Sequence, residues 1–400
     1  MNKINKDWKE VKLGDIVDIT MGQSPKSEFY NKRNEGMPFL QGSATFGFMH
    51  PYFETYSSDI KKIAINGSVL MSVRAPVGDL NIANADVCIG RGLCSINGKS
   101  NIINRYIFYL LSYYKPKLLN MQKGTTFGAI TKDDILNFKV LIAEDIEEQK
   151  RIASALSKID AYLENTIKLI EEKERFKRGI AKKLLTCKEG ENIPEARFKG
   201  FEDEWMEVAI SKIGTIITGN TPSTKNESFW NGNNVWVTPT DVKQKYISNS
   251  ERKLTDDGLK KSRKLPANTL LITCIANIGK NAILKCEGAC NQQINAIIPN
   301  KNYNVDFLYY LFENEKSYLK FKAPQSVIKI MSKSEFSKLV FKFPLLEEQE
   351  KIGEYLSLLD KEIDNLKKQK ELIKEMKIGA MQKLLSGEVR LSKNAFNENI

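Results

Sequence analysis

Side chains that can hydrogen-bond the edges of nucleic-acid bases recur beside turn-forming glycine and proline at two places half a chain apart. Arg and Lys match guanine, Asn and Gln match adenine, and Lys, Arg, Ser and Thr hold phosphates. Such groups count only where turns hold them at a surface. In the first half the candidates are Ser24, Lys26, Gln41, Ser43, Arg74, Arg91 and Lys123. In the second half they are Thr221, Ser223, Lys225, Thr238, Thr240, Asn277, Lys280, Gln292, Gln293, Gln325 and Lys329. Two readings stand for Gln292 and Gln293, which follow an apolar run: they address a base, or they bond inside their own domain. Arg91, flanked by Gly90 and Gly92, either projects outward or anchors its turn.

Other chemistries find little support. "GRGLCS" at Gly90 has Ser95 where a dinucleotide fingerprint needs its third glycine, and "GKS" at 98–100 has Leu93 where a phosphate-binding loop needs its first. No Asn-Pro-Pro-aromatic motif of an amino-methyltransferase occurs, and the single histidine, His50, reads as an ordinary surface or core residue. The six cysteines, Cys88, Cys94, Cys187, Cys274, Cys286 and Cys290, form no C-x-x-C pair and read as reduced packing residues, so no metal site is expected. Any catalysis would have to come from partners. The amino terminus lacks the apolar run of a signal peptide and no segment approaches a membrane span, so a cytoplasmic chain with no membrane partner is expected.

The net charge of +12 is unevenly distributed. Residues 1–146 carry 18 Lys/Arg against 14 Asp/Glu, and 205–346 carry 20 against 11, whereas 147–204 balance at 13 each and 347–400 hold 10 against 11. Positive excess confined to two globular segments points to two surfaces facing phosphate backbones.

The elements that would position these residues are written twice. Residues 147–186 and 347–386 align without a gap and are identical at 15 of 40 positions. In one frame the first copy places Ile152, Leu156, Ile159, Leu163, Thr166, Ile170, Lys173, Lys177, Ile180 and Leu184 at alternating steps of four and three. The second places Ile352, Leu356, Leu359, Ile363, Leu366, Lys370, Ile373, Lys377, Ala380 and Leu384 there. This spacing predicts a coiled-coil seam. Lys177 and Lys377 interrupt it, and Phe176 and Met376 are expected to take over the packing beside them. The globular segments repeat more faintly: "WKEVKLGDIVDITMGQSPKS" from Trp8 parallels "WMEVAISKIGTIITGNTPST" from Trp205, and two β-rich runs break at Gly78 and Gly279.

The expected architecture is therefore α+β: two similar mixed α/β domains separated by two long helices that pair as an antiparallel coiled coil, with an internal pseudo-twofold repeat. The segments are domain 1–146, helix 147–186, crossover linker 187–204, domain 205–346, helix 347–386 and tail 387–400. A helix of about 40 residues is roughly 60 Å long at ~1.5 Å per residue. Two of them would act as a ruler between unlike readers, which predicts two unlike DNA half-sites separated by an unread spacer.

With the "EEQ" openings of both helices, the linker "PEARFKGFEDEW", the stretches "GNTPST" and "NQQINAI" and the closing "QKLLSGEVRL", the chain resembles the specificity subunit of type I restriction-modification systems over essentially its whole length. It departs from that pattern where "IGRG" stands opposite "NQQ" and "LIAEDIEEQ" opposite "FPLLEEQ". The resemblance implies a non-catalytic chain with two target-recognition domains that read a bipartite sequence in double-stranded DNA. It also implies helices that dock two adenine methyltransferase subunits, within an assembly that adds ATP-driven translocase-endonuclease subunits. S-adenosylmethionine, ATP and Mg²⁺ would bind those partners, and this chain none. Two alternatives stay open: a specificity subunit of another restriction enzyme type with similar architecture, or a coiled-coil scaffold that binds nucleic acid nonspecifically.

Overall fold

The two β-rich runs that the sequence repeats become the central strands Val69–Ser72 and Thr269–Thr273 of separate sheets in the computed structural model, which describes residues 8–121, 128–323 and 329–391. Both strands are buried along their whole length, as an apolar run without alternation requires when it is covered on two faces. The chain divides into two units, Met1–Lys168 with Lys368–Ile400, and Leu169–Lys367.

In the first unit Val69–Ser72 lies in an antiparallel sheet ordered Val17–Met21, Leu93–Gly98, Val69–Ser72, Leu80–Ile82. A second sheet pairs Phe39 and Leu40 in parallel with Cys88 and Ile89. The helix Asn104–Met121 packs Tyr106, Ile107, Leu110 and Leu111 against Val69, Met71 and Ile96, and Leu384 and Leu385 complete that core. The second unit repeats the plan with Gly214–Thr218, Ile294–Pro299, Thr269–Thr273, Asn281–Leu284 and Tyr246–Ile247 in one sheet, and Trp230–Val237 between Lys253–Leu254 and Gly288–Cys290 in another. Leu184 and Leu185 fill its core beside Phe307, Leu311 and Phe312.

The repeated "EEQ" is a docking device. Each glutamine is buried at the start of a long helix, Ile146–Leu185 or Leu346–Leu385. Gln149 donates to Ala143 O at 2.9 Å and accepts from Ile103 N at 3.3 Å; Gln349 donates to Pro344 O at 2.9 Å and accepts from Asn304 N at 3.0 Å. The carboxylate before each glutamine is equally buried and held by an arginine. Glu348 accepts two hydrogen bonds from Arg197, both at 2.8 Å, and one from Trp205 Nε1 at 3.3 Å. Glu148 accepts from Arg390 at 3.1 and 2.6 Å. The segment after each long helix therefore folds back onto its unit: Ala196 N donates to Lys183 O, and Val389 N to Lys383 O. Phe198 meets Tyr355 edge-on at 5.5 Å.

The long helices run antiparallel within each unit. In the first unit Ile152, Leu156, Leu163, Ile373 and Leu384 are buried and Ile159 is partly so; in the second Ile170, Leu184, Ile352, Leu356, Leu359 and Ile363 are buried, with Ile180 and Leu366 half-buried. One expectation at the seam is overturned: Phe176 and Met376 are 51% and 50% exposed and do not take over the packing. The lysines stay and are neutralised across the pair. Lys177 bridges Asp360, which also accepts Tyr310 Oη at 2.5 Å, and Lys377 bridges Asp160 at 2.5 Å, which accepts Tyr109 Oη at 2.8 Å. A lysine at a seam position is tolerable once a carboxylate on the facing helix removes its unpaired charge.

The units differ at one buried cation. Lys245 Nζ contacts Asp306 at 2.7 Å, Ser357 at 2.7 Å and Tyr310 Oη at 3.0 Å, and lies 4.2 Å from the Tyr310 ring centroid. Its carbonyl accepts from Ile283 N as the carbonyl of Met49 accepts from Ile82 N, so Met49 is its counterpart. Arg105, bonded to Ser157, stands at the place of Asp306. Burial pulls the Lys245 ammonium below the usual lysine range, against the opposing pull of Asp306. The unfolded chain holds this proton to higher pH, so stability rises with pH between the folded and ordinary lysine values. Lys245→Met is expected to destabilise the second unit by about 1–2 kcal/mol through the polar groups it leaves behind. Adding Asp306→Arg, which restores the first unit's pairing, is expected to recover part of that loss in urea unfolding. A double variant no more stable than the single one would show that the two positions are not coupled.

Candidate nucleic-acid interface

Four loops of each unit are stitched into one patch by backbone hydrogen bonds. In the first unit Gly22 N donates to Leu93 O at 2.9 Å, Gln23 N to Ile89 O at 2.9 Å, Gly90 N to Leu40 O at 2.8 Å and Val73 N to Gly92 O at 2.9 Å. The second unit repeats every link: Gly219 N to Ile294 O at 3.0 Å, Asn220 N to Cys290 O at 2.9 Å, Asn291 N to Val237 O at 3.0 Å and Cys274 N to Gln293 O at 2.8 Å. Gly78 and Gly279 turn the fourth loop with φ of 79° and 87°. Equivalent backbones thus present different side chains.

The loops gather Ser24, Gln41 and Arg91. Ser24 Oγ donates to Gln41 Oε1 at 2.9 Å and accepts from Arg91 N at 3.2 Å, while the Arg91 side chain is exposed. Gly90 and Gly92 flank Arg91 because the chain passes close to Gln41: a Cβ at Gly92 would lie 2.6 Å from Gln41 O. In the second unit Thr221 Oγ1 donates to Gln292 Oε1 at 2.6 Å. Gln292 keeps its amide N–H groups and a second lone pair of its oxygen for a ligand, enough to pair with both edge atoms of adenine while Thr221 holds it in place. Gln293 bonds inward, its Oε1 accepting from Asn291 Nδ2 at 2.9 Å.

The other candidates divide by what already holds them. Ser43 donates to Asp79 at 3.1 Å, whose other oxygen takes Lys115 at 2.8 Å. Thr238 donates to Asp241 at 2.7 Å and meets Thr240 at 2.8 Å, so this pair shapes a turn. Lys26 lies 3.7 Å from Glu28 with both side chains in water, a contact that salt screens. Ser223 O accepts from Trp230 Nε1 at 3.1 Å, and Lys329 O from Ala276 N at 3.0 Å. Arg74, Lys225, Asn277 and Lys280 are exposed, with no side-chain hydrogen bond or ion pair among the described residues. Lys123 and Gln325 lie outside the described residues.

Two participants escaped the sequence reading. Asn220 Nδ2 donates to Lys261 O at 3.0 Å, its Oδ1 accepts Arg263 N at 2.7 Å, and Arg263 Nη1 donates to Thr218 O at 2.6 Å. Asn220 stands inside "GNTPST", and the run "KKSRK" at 260–264 carries much of the second domain's positive excess; either signal was available. Among the described residues no group of three or more His, Cys, Asp or Glu gathers to hold a metal ion, and no helix is long and apolar enough to cross a membrane.

Comparison with known proteins decides the family. The model of the type I restriction modification DNA specificity domain matches residues 5–172 and again 202–375. The chain belongs to this family. The putative MjaX specificity subunit of Methanocaldococcus jannaschii is 44% identical over 191 residues, 47% of this chain and 45% of the relative. The chain thus aligns with less than half the length of that relative, and with 42% of the MjaIX specificity subunit from the same organism. The HindI specificity subunit of Haemophilus influenzae is 29% identical over 96% of this chain and 100% of its own. Among solved structures, the type I system S subunit of M. genitalium superposes with a TM-score of 0.62 over 96% of this chain and 97% of that one, at 16% identity. That likeness shows the shared fold.

Proposed function

We propose that the chain is the DNA sequence-specificity subunit of a type I restriction-modification complex. Each unit reads one half of a bipartite, asymmetric site in double-stranded DNA, and the long helices set the unread spacer and dock two methyltransferase subunits. The chain itself is non-catalytic. S-adenosylmethionine, ATP and Mg²⁺ belong to the methyltransferase and the ATP-dependent endonuclease subunits. The observation that carries this reading is the pair of four-loop patches, equal in backbone and different in side chains: Ser24, Gln41 and Arg91 in one, Thr221 and Gln292 in the other. A symmetric site would need like readers, and nonspecific backbone binding would need no base-matching amides at all.

Selection from randomised duplexes, with the methyltransferase subunits present, tests the reading. A two-part site with unlike halves is expected. Gln41→Ala is then expected to relax preference in one half by about 1–3 kcal/mol, the worth of one good base contact, with the other half untouched. Equal binding to random and selected duplexes would favour the nonspecific scaffold instead. DNA cleavage by this chain alone would contradict the assignment of catalysis to partners.

A further inference from the structure

The second unit carries a basic loop on a side-chain mount that the first unit does not repeat, and the loop is fixed in place before any ligand arrives. It follows the short helix Asp256–Lys260 and runs through Lys261, Ser262 and Arg263. Asn220 clamps it through both atoms of its amide, to Lys261 O and Arg263 N. The same asparagine accepts Trp236 Nε1 at 3.1 Å and donates its own N–H to Cys290 O, so the loop is tied to the patch one residue from Thr221. Leu265 and Gly288 close its far end with two backbone hydrogen bonds of 2.8 and 3.0 Å. Lys261 and Arg263 are nevertheless exposed. Arg263 spends one N–H on Thr218 O, which aims the guanidinium while leaving further donors. Lys261 makes no close ion pair among the described residues and only adds its charge to the field at Asp257, unlike its neighbours Lys260 and Lys264, which pair with Asp257 and Glu287. At the corresponding edge of the first unit, where Ala64 pairs with Val87 as Leu265 does with Gly288, Lys61 pairs with Asp59 at 2.9 Å and Lys62 is exposed at the place of Arg263, but Gln23 stands where Asn220 does and makes no such clamp among the described residues.

We propose that Lys261 and Arg263 hold a DNA backbone phosphate beside the half-site addressed by the second unit, and that Asn220 is the positioning residue that presents them. This rests on the reading of the chain as a DNA specificity subunit and adds to it a sequence-independent clamp whose asparagine mount occurs in the second unit. Two cations on a pinned loop beside a base-matching pair suit a phosphate, whose oxygens accept from any direction and carry no base information.

A salt titration of duplex binding by the full chain with its methyltransferase subunits tests the proposal, comparing wild type with Arg263→Gln, Lys261→Gln, the double variant and Asn220→Ala. Each lost cation is expected to flatten the plot of log affinity against log salt by about 1, with base preferences unchanged. Asn220→Ala is expected to flatten it as well although no charge is removed, which a purely structural asparagine would not do. An unchanged slope in a double variant that melts like wild type would overturn the clamp. So would altered base preference in Arg263→Gln, which would make the arginine a base reader. If wild type selects no sequence, the specificity reading fails, and the slopes on an arbitrary duplex still decide the clamp by itself.

Discussion

Gly219→Ala is expected to cut affinity for the selected duplex about a hundredfold, the loss of one to two good base contacts, while the long helices stay folded. A Cβ at this position would lie 2.2 Å from Cys290 O and 2.3 Å from Asn291 O. Both are backbone atoms held in the patch, so a rotamer change cannot relieve the clash, and the 290–293 loop has to move. Thr221 and Gln292, 2.6 Å apart across that contact, then separate, and the second patch loses its base-matching pair. Crowding of this kind costs about 1–3 kcal/mol in stability, which a folded unit can absorb. Gly22→Ala is the matched control. Its Cβ would meet Gly90 O at 2.2 Å, so it should spoil the other half-site and spare this one. Binding to duplexes with each half scrambled in turn checks both. Undiminished affinity in Gly219→Ala would mean that this patch is not where the duplex is read.

Arg197→Ala is expected to destabilise the second unit by about 3–5 kcal/mol, because it strands a buried carboxylate. The Glu348 side chain is 2% exposed and Arg197 grips it with two parallel hydrogen bonds of 2.8 Å. Against a total of about 5–15 kcal/mol for a typical domain, this is a large share. Arg197→Lys should rescue little, since an ammonium cannot reproduce the planar fork. Arg197→Met with Glu348→Gln should cost less than either charge left unpaired. The first unit offers the comparison: Arg390 is 41% exposed beside Glu148, so water can partly replace it and Arg390→Ala should cost less than Arg197→Ala. Urea unfolding of the two alanine variants ranks them, and equal costs would rule out burial as the cause of the difference.

The repeat was legible because it is long and gapless. Ile152, Leu156, Ile352 and Leu356 announced the seam through their spacing alone, and they are buried as a seam requires. What spacing could not disclose was the identity of partners far away in the chain. Lys177 and Lys377 looked like interruptions, since nothing local reveals Asp360 and Asp160 on the facing helix. Glu148 and Glu348 stand at helix starts, where a carboxylate suits the dipole even in water; their burial depends on arginines 242 and 151 residues away. At the patches, residue type picked out Ser24, Gln41 and Arg91 and also Thr221 and Gln292, which the loops bring together. It did not separate them from Thr238 and Thr240, because a threonine that shapes a turn and one that meets a ligand are the same letter.

The first unit takes its last pieces from the far end of the polypeptide: Leu384 and Leu385 for its core, Arg390 for Glu148. A ribosome making about 5–20 residues per second needs on the order of 10–40 s to cross the roughly 200 residues between Lys168 and Lys368. Throughout that interval the nascent amino-terminal unit holds an open hydrophobic cleft and an uncompensated acid, and the unit translated meanwhile has all its parts as soon as Lys367 is added. The domain born first is the one finished last, and a premature stop between Lys367 and Leu384 leaves it incomplete beside an intact neighbour.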